Sequence, residues 1–390
     1  MHIGKFVFSQ IILFLPQRQF NRIVSQYNDR TRNWGMSHWS HLLVLIFGQL
    51  VGCESLRGLT DLLVAHRKKS FHLGFGSNSI NRQMLSKANN IRDYRIFEDF
   101  AFFMIAQAQK LRIETPFDIP GRFYAVDSST IDLCMTLFRW ADFRSTKSGI
   151  KLHTQIDIVT HIPTFYRITN AKVHDVNYMD YIAYEATACY VFDRGYFDYA
   201  RLYMIERANA FFVIREKRRT RYAVVSEEQP PKDEGNILKD QTIRFKGKRN
   251  SAHYPDVLRR IVYYAPELDR TFVYYTNNFY LKASDIALLY KNRWQVELFF
   301  KWIKQHLRVK QFWGRSENAV RIQIHVAIIT YCLVGIIEHE LMLNRPIIEV
   351  MRILGGSLLT QDNIKELFTE EDVPLDDVAM VQLRLDFDNC

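Results

Sequence analysis

The chain has 390 residues, 48% of them hydrophobic, with a formal net charge of +10. That length and composition build a globular protein of two or three domains and exclude a low-complexity chain. Nine acids against two bases make the stretch from Thr360 to Cys390 net −7, which leaves +17 on residues 1–359, a balance suited to a polyanionic partner.

Nucleic acid is expected over lipid. The longest apolar runs, Leu42 to Val51 and Ile324 to Ile337, are short for a bilayer crossing, and His325 interrupts the second. The first sixteen residues lack a small-residue cleavage site and do not read as a signal peptide. Five scattered cysteines, never in a C-x-x-C pair, fit reduced thiols of a cytoplasmic protein and offer no zinc site.

Residues 1–114 read as a basic helical N-terminal domain. Apolar positions recur at helical spacing through Phe6–Leu15, His41–Cys53 and Tyr94–Ala108. Between them, Ser55–His66 and Ser79–Asn89 read as two helices, the second capped by Ser79 or Asn81. Joined by a glycine-bearing turn at Gly74–Ser77, they resemble a helix-turn-helix reader of DNA, with Arg82 and Lys87 as contacts.

The segment TPFDIPG, 115–121, reads as a linker, after which the period becomes strand-like. A first part of an α/β core, 115–221, follows: a short run ending at Asp127, then KLHTQIDIVT and FYRITNAKVHD as an antiparallel pair, with helical patches at Tyr178–Ala188 and Tyr196–Asn209. The strand CYVF before Asp193 and the strand Ala210–Glu216 complete it. Three strands, helix, strand, helix, strand is the order of a ribonuclease-H-like mixed sheet, in which the first strand lies beside the fourth. Asp127 and Asp193 then share the rim where α/β sheets hold ligands. His174-Asp175 is expected at the opposite sheet end, as a structural turn. The basic run Arg215–Arg221 belongs beside Asp193, with Arg194, Arg215, Arg218 and Arg219 as DNA contacts. Residues 222–278 read as an inserted β subdomain, 279–345 as the second part of the core, and 346–390 as an acidic C-terminal segment.

The second part of the core opens on one long helix, Ser284–Leu307, with Ser284 as candidate cap. Tyr290, Arg293, Glu297, Lys301 and Lys304 project within about 40° of Glu297 at 100° per residue, opposite Leu288, Val296, Phe299, Trp302 and Ile303. Taken alone, the stripe reads equally as a surface ion-pair ladder or as a site. Two strand-end aspartates before it in the chain favour the site. Three carboxylates suit two Mg²⁺ ions, which prefer hard oxygen ligands and which activate an attacking oxygen while stabilising the leaving one; Mn²⁺ is the expected substitute. The cations beside Glu297 become phosphate contacts, with Arg293 offering a fork.

These residues carry a resemblance. Asp127-Ser-Ser-Thr-Ile131, Phe192-Asp-Arg-Gly-Tyr196 and Tyr290-x2-Arg293-x3-Glu297-x6-Lys304 resemble the motifs of DDE transposases in the family founded on insertion sequence four. The resemblance implies a β insertion before the glutamate and cut-and-paste transposition of DNA by a homodimer acting on terminal inverted repeats and target DNA. Asp127, Asp193 and Glu297 would hold the metals; Tyr290, Arg293 and Lys304 would grip the strand, and Lys301 joins them from the helix stripe. Some relatives stabilise a flipped base with a tryptophan in the insertion. Here no tryptophan lies between Trp140 and Trp294, and Tyr254, Tyr263 and Tyr264 are the candidates to replace it. A DNA-binding protein with an unused core, and a nuclease that does not join strands, remain alternatives with the same motifs.

Overall fold

The computed structural model describes residues 4–27, 35–76, 79–111, 119–134, 136–144, 147–229, 236–307 and 312–369. Most of the linker reading and the acidic residues from 370 onward lie outside that set.

Six helices come first: α1 (Val7–Ile12), α2 (Gln17–Gln26), α3 (His38–Val51), α4 (Leu56–Ala65), α5 (Arg82–Ile91) and α6 (Tyr94–Lys110). Side-chain caps start several of them. Ser37 accepts from the Ser40 N–H, Ser55 from Gly58, and Asn81, rather than Ser79, from Met84. Gly52 ends α3 at φ 73°, a left-handed position that glycine takes without strain. Helix α2 escapes the periodicity reading because only Phe20 and Ile23 of its ten residues are buried. The helix-turn-helix expectation needs correction. The α4–α5 connection runs from His66 to Asn81 and includes a 3-10 turn at Arg67–Lys69. It buries Leu73 and Phe75, whereas a helix-turn-helix has a turn of about 3–4 residues.

Among the described residues, ten strands form one sheet. They are β1 (Phe123–Leu133), β2 (Asp142–Arg144), β3 (Lys147–Asp157), β4 (Pro163–Asn170), β5 (Cys189–Phe192), β6 (Phe211–Arg215), β7 (Tyr222–Glu228), β8 (Ile237–Phe245), β9 (Leu258–Ala265) and β10 (Arg270–Thr276). Their order is β2-β3-β1-β5-β6-β10-β9-β8-β7, with β4 also pairing β3. The β1–β5 and β5–β6 pairs are parallel, so the first strand lies beside the strand that leads to Asp193, as a ribonuclease-H-like core requires. The inserted strands continue this sheet: β10 pairs antiparallel with β6, and β9, β8 and β7 follow outward.

Helix α7 (Tyr199–Arg207) follows β5, and the short α8 (Lys248–His253) lies between β8 and β9. The helix expected over Tyr178–Ala188 is instead a 3-10 helix, Asp175–Tyr181. Thr187, at φ 69°, then turns the chain into β5, a conformation no helix continues through.

The remaining helices are α9 (Ala283–Asn292), α10 (Trp294–Leu307), α11 (Glu317–Glu340) and α12 (Ile347–Ser357). The single helix expected from Ser284 is therefore two, divided at Arg293, and it starts after Lys282 with no side-chain cap. By length and composition α11 is apolar enough to cross a membrane, which corrects the run-length reading. However, 94% of its most apolar 18-residue stretch is buried inside the protein. Helices α3, α5, α6, α10 and α12 all pack on it, so one apolar core joins the N-terminal helices to the sheet. A helix apolar on every side has to be enclosed in this way.

Alternation along β1 separates two layers. Phe123 and Ala125 face the core shared with α10 and α11, whereas Tyr124 and Val126 face a second cluster that includes Leu202 and Ile205 of α7.

Candidate active site

Strand registration brings the two aspartates together. Val126 pairs with Phe192 in the parallel β1–β5 ladder, so Asp127 and Asp193 follow at matched positions on strands about 4.8 Å apart. Beyond that point β1 keeps only its antiparallel neighbour, with Asp127 opposite Thr154 of β3. Asp193 enters a 3-10 turn, Arg194–Tyr196. The sheet thus opens at the carboxyl ends of its parallel strands, where ligands bind.

By alternation Asp127 points to the α10 layer. There Arg293 Nη1 donates to Asp127 Oδ2 at 2.7 Å, and its Nη2 donates to Glu297 Oε1 at 2.7 Å. The side chains of Arg293, Asp127 and Glu297 are 14%, 21% and 36% exposed. Arg293 sits at the junction of α9 and α10, so one guanidinium joins a strand acid to a helix acid. Burial pushes the Asp127 carboxyl up to about 6; the charges of Asp193 and Glu297 add to this, against Arg293 and the Ser128 N–H. For Arg293, burial is outweighed by Asp127, Tyr290 and Glu297, and the guanidinium's hold on its proton is strengthened.

A cleft of about 480 Å³ is lined by Asp127, Ser128, Ser129, Glu297, Phe300, Lys301 and Lys304. Lys301 and Lys304 are exposed there, where the stripe reading put them. Two other members of the stripe are placed differently. Arg293 is committed to two carboxylates rather than presented to phosphate. Tyr290 is only 9% exposed, its ring packed on Tyr274 at 4.6 Å between centroids. Apolar contact from β10 thus outweighs the helical-wheel direction of a phenol.

Of the other expected contacts, Arg194 is exposed, and Arg215 is half-buried with its guanidinium 4.9 Å from the Phe272 ring centre. Arg218 and Arg219 are exposed in a second cleft of about 760 Å³, beside α7, shared with Lys217, Arg249 and His253. Arg82 and Lys87 are exposed on α5 and line neither cleft. Tyr254 is fully buried and donates to Glu206, so it cannot receive a flipped base. Tyr263 and Tyr264 are half-buried on β9.

His174-Asp175 requires a correction. Strand β4 is antiparallel to β3, and β3 to β1, so β4 ends on the same side of the sheet as Asp127. Asp175 accepts from Ser128 Oγ at 2.5 Å and pairs with Lys151 Nζ at 2.9 Å. Burial raises its carboxyl, but these partners outweigh burial and hold it below the usual range. Sequence reasoning missed Ser128 and Lys151 as parts of this rim, and Arg249 beside the α7 cleft. Two antiparallel steps in succession were the signal available for Asp175.

Three carboxylates on one rim are hard oxygen donors of the kind Mg²⁺ takes. The donor chemistry fits a divalent cation. Among the described residues, no three acidic, histidine or cysteine side chains stand close enough to hold one ion; Arg293 supplies the compensating charge instead.

Comparison with known proteins places the chain in a family. Residues 119–333 match the transposase DDE domain, and residues 3–76 match a domain of unknown function. The chain is 34% identical to the putative transposase y4zB of Sinorhizobium fredii over 69% of its own length and 75% of that protein's. It is 27% identical to the probable transposase for insertion sequence element IS5377 of Geobacillus stearothermophilus, over 70% and 73% of the two chains. Among solved structures, the piggyBac transposase synaptic complex with hairpin DNA superposes with a TM-score of 0.42 at 12% identity, covering 92% of this chain and 78% of that one. The chain belongs to the DDE transposases, in the group resembling insertion sequence four.

Proposed function

We propose that this DNA transposase cuts and rejoins DNA with Asp127, Asp193 and Glu297 as its metal carboxylates, acting as a homodimer on paired terminal repeats. The observation that carries the reading is the linkage at the rim: Asp127 and Asp193 each directly follow the last pair of the β1–β5 ladder, Val126 and Phe192, and Arg293 ties Asp127 to Glu297.

Bound Mg²⁺, or Mn²⁺ in its place, supplies Lewis-acid activation of the attacking oxygen and stabilisation of the leaving one. The protein's own side chains do the rest. Lys301 and Lys304, exposed in the cleft beside Glu297, bind phosphates of the strand to be cut. Arg293 keeps a strand acid and a helix acid at one rim while their charge is otherwise uncompensated. Its planar fork is of the kind that also suits a phosphate. Phe300 gives the cleft an apolar wall against which a terminal sugar or base packs. Cut-and-paste excision with a hairpin step, followed by strand transfer to target DNA, is the finer form of the proposal.

The test is a DNA fragment carrying the cognate terminal repeats, incubated with the full chain and Mg²⁺. Wild type nicks at the repeat end and joins the freed 3′-hydroxyl to a target plasmid, whereas Glu297→Gln binds the fragment and leaves it intact. Cleavage by Glu297→Gln at the wild-type rate sinks the assignment.

A further inference from the structure

Asp175 and Lys151 lie behind the site and do not line its cleft, whereas their neighbour Ser128 does. Cross-strand partners share a face, so Ser128 and its partner His153, with Thr130 and its partner Lys151, face the layer away from α10. Asp127 and Thr154 face the α10 layer. Ser128 therefore acts on both sides of the sheet. Its main-chain N–H donates to Asp127 Oδ1 at 2.8 Å. Its hydroxyl donates to Asp175 Oδ1 on the far side. Lys151 is 9% exposed, and it anchors Asp175 while donating to the Val173 carbonyl at 2.8 Å. A lysine this buried needs its partner, and an acid with two short partners has little freedom left.

We propose that Asp175, backed by Lys151, is a positioning residue for Asp127, fixing Ser128 so that its main-chain N–H holds the Asp127 carboxylate toward α10. This rests on the reading of Asp127 as a metal carboxylate. Asp175 acts through Ser128 and contacts neither metal nor DNA. Groups standing behind metal ligands set ligand orientation, and their loss typically costs about 10–100-fold in metal affinity or activity.

The experiment titrates the full chain with Mn²⁺ and follows loss of the free-ion electron paramagnetic resonance signal. Denaturant unfolding and repeat-end cleavage are measured in parallel. Ser128→Ala leaves the Lys151–Asp175 pair in place, and Asp175→Asn weakens it. Each raises the half-saturating Mn²⁺ concentration by about 10-fold. The double variant shifts it no further than the larger single shift, because both changes cut one chain of contacts. An Asp175 that only neutralises Lys151 gives a different pattern: Asp175→Asn loses stability, while Ser128→Ala binds Mn²⁺ as wild type does. That pattern, or shifts that simply add, overturns the positioning role and leaves the proposed function standing. Wild type without saturable Mn²⁺ binding overturns both.

Discussion

The two faces of the sheet treat positive charge differently. On the α10 face, one guanidinium that is 14% exposed is shared by two carboxylates at 2.7 Å each. On the α7 face, Arg218, Arg219 and Arg249 stand exposed around a cleft of about 760 Å³, while Arg201 there is tied to Asp180. Held and partly desolvated charges have large, geometry-dependent effects, whereas exposed charges act at longer range and are screened by salt. Under the proposed function, the first face would hold the chemistry at a defined point and the second would attract a polyanion. Substitutions on the two faces should accordingly differ in kind as well as size.

The largest effect is expected from Asp127→Asn. It removes a proposed metal carboxylate while keeping shape, so cleavage should fall by more than the roughly 100-fold upper range for supporting residues, with repeat-end binding retained in a gel-shift assay. Arg293→Ala comes next. It leaves Asp127 and Glu297 without their shared cation. Losing one partner of a fully buried pair costs about 3–5 kcal/mol; with Glu297 36% exposed, about 2 kcal/mol is expected here after allowing for solvent screening. Denaturant unfolding measures it. The sharper part concerns metal: if divalent ions take over the role of Arg293, saturating Mg²⁺ should stabilise Arg293→Ala more than wild type. Equal stabilisation of both would mean that the ions bind elsewhere.

Much of the fold was legible because its signals are local. Apolar runs before Asp127 and Asp193 gave the two strands, although β1 runs on past Asp127 to Leu133 along β3, and their order in the chain gave the neighbouring pair seen in the β1–β5 register. What escaped depends on contacts between distant segments. Tyr290 lies on the stripe in a helical projection, yet Tyr274 of β10 covers it. Asp175 looked like a turn on the far side, because its position depends on counting strand reversals through β3 and β4 together. No local pattern announces that β10 pairs with β6, so the inserted strands read as a separate unit although they widen the core sheet. Arg293 is the instructive intermediate case. Spacing placed it beside Glu297, but only the folded chain brings Asp127 to its other amino group.

On the α7 face the expected effect is smaller and of another kind. Replacing Arg218, Arg219 and Arg249 by alanine should weaken binding of repeat-containing and unrelated duplexes alike. The slope of log affinity against log salt should become shallower by about 0.9 for each phosphate that is no longer neutralised. Weakening confined to the cognate repeat would instead assign these residues to base reading, because phosphate contacts carry no direct sequence information.

The smallest effect separates a buried phenol from a DNA contact. Tyr290 is 9% exposed, packs on Tyr274, and has the Arg293 guanidinium 5.7 Å from its ring centre. If the ring only supports Arg293, Tyr290→Phe keeps that packing and the cationic contact. Stability should then change by about 1 kcal/mol or less, and repeat-end cleavage should stay close to wild type. If the hydroxyl instead reaches the strand during the reaction, cleavage by Tyr290→Phe falls while unfolding is unchanged. That result would move Tyr290 from the wall of the site into it, and it would require α9 to shift against β10 when DNA binds.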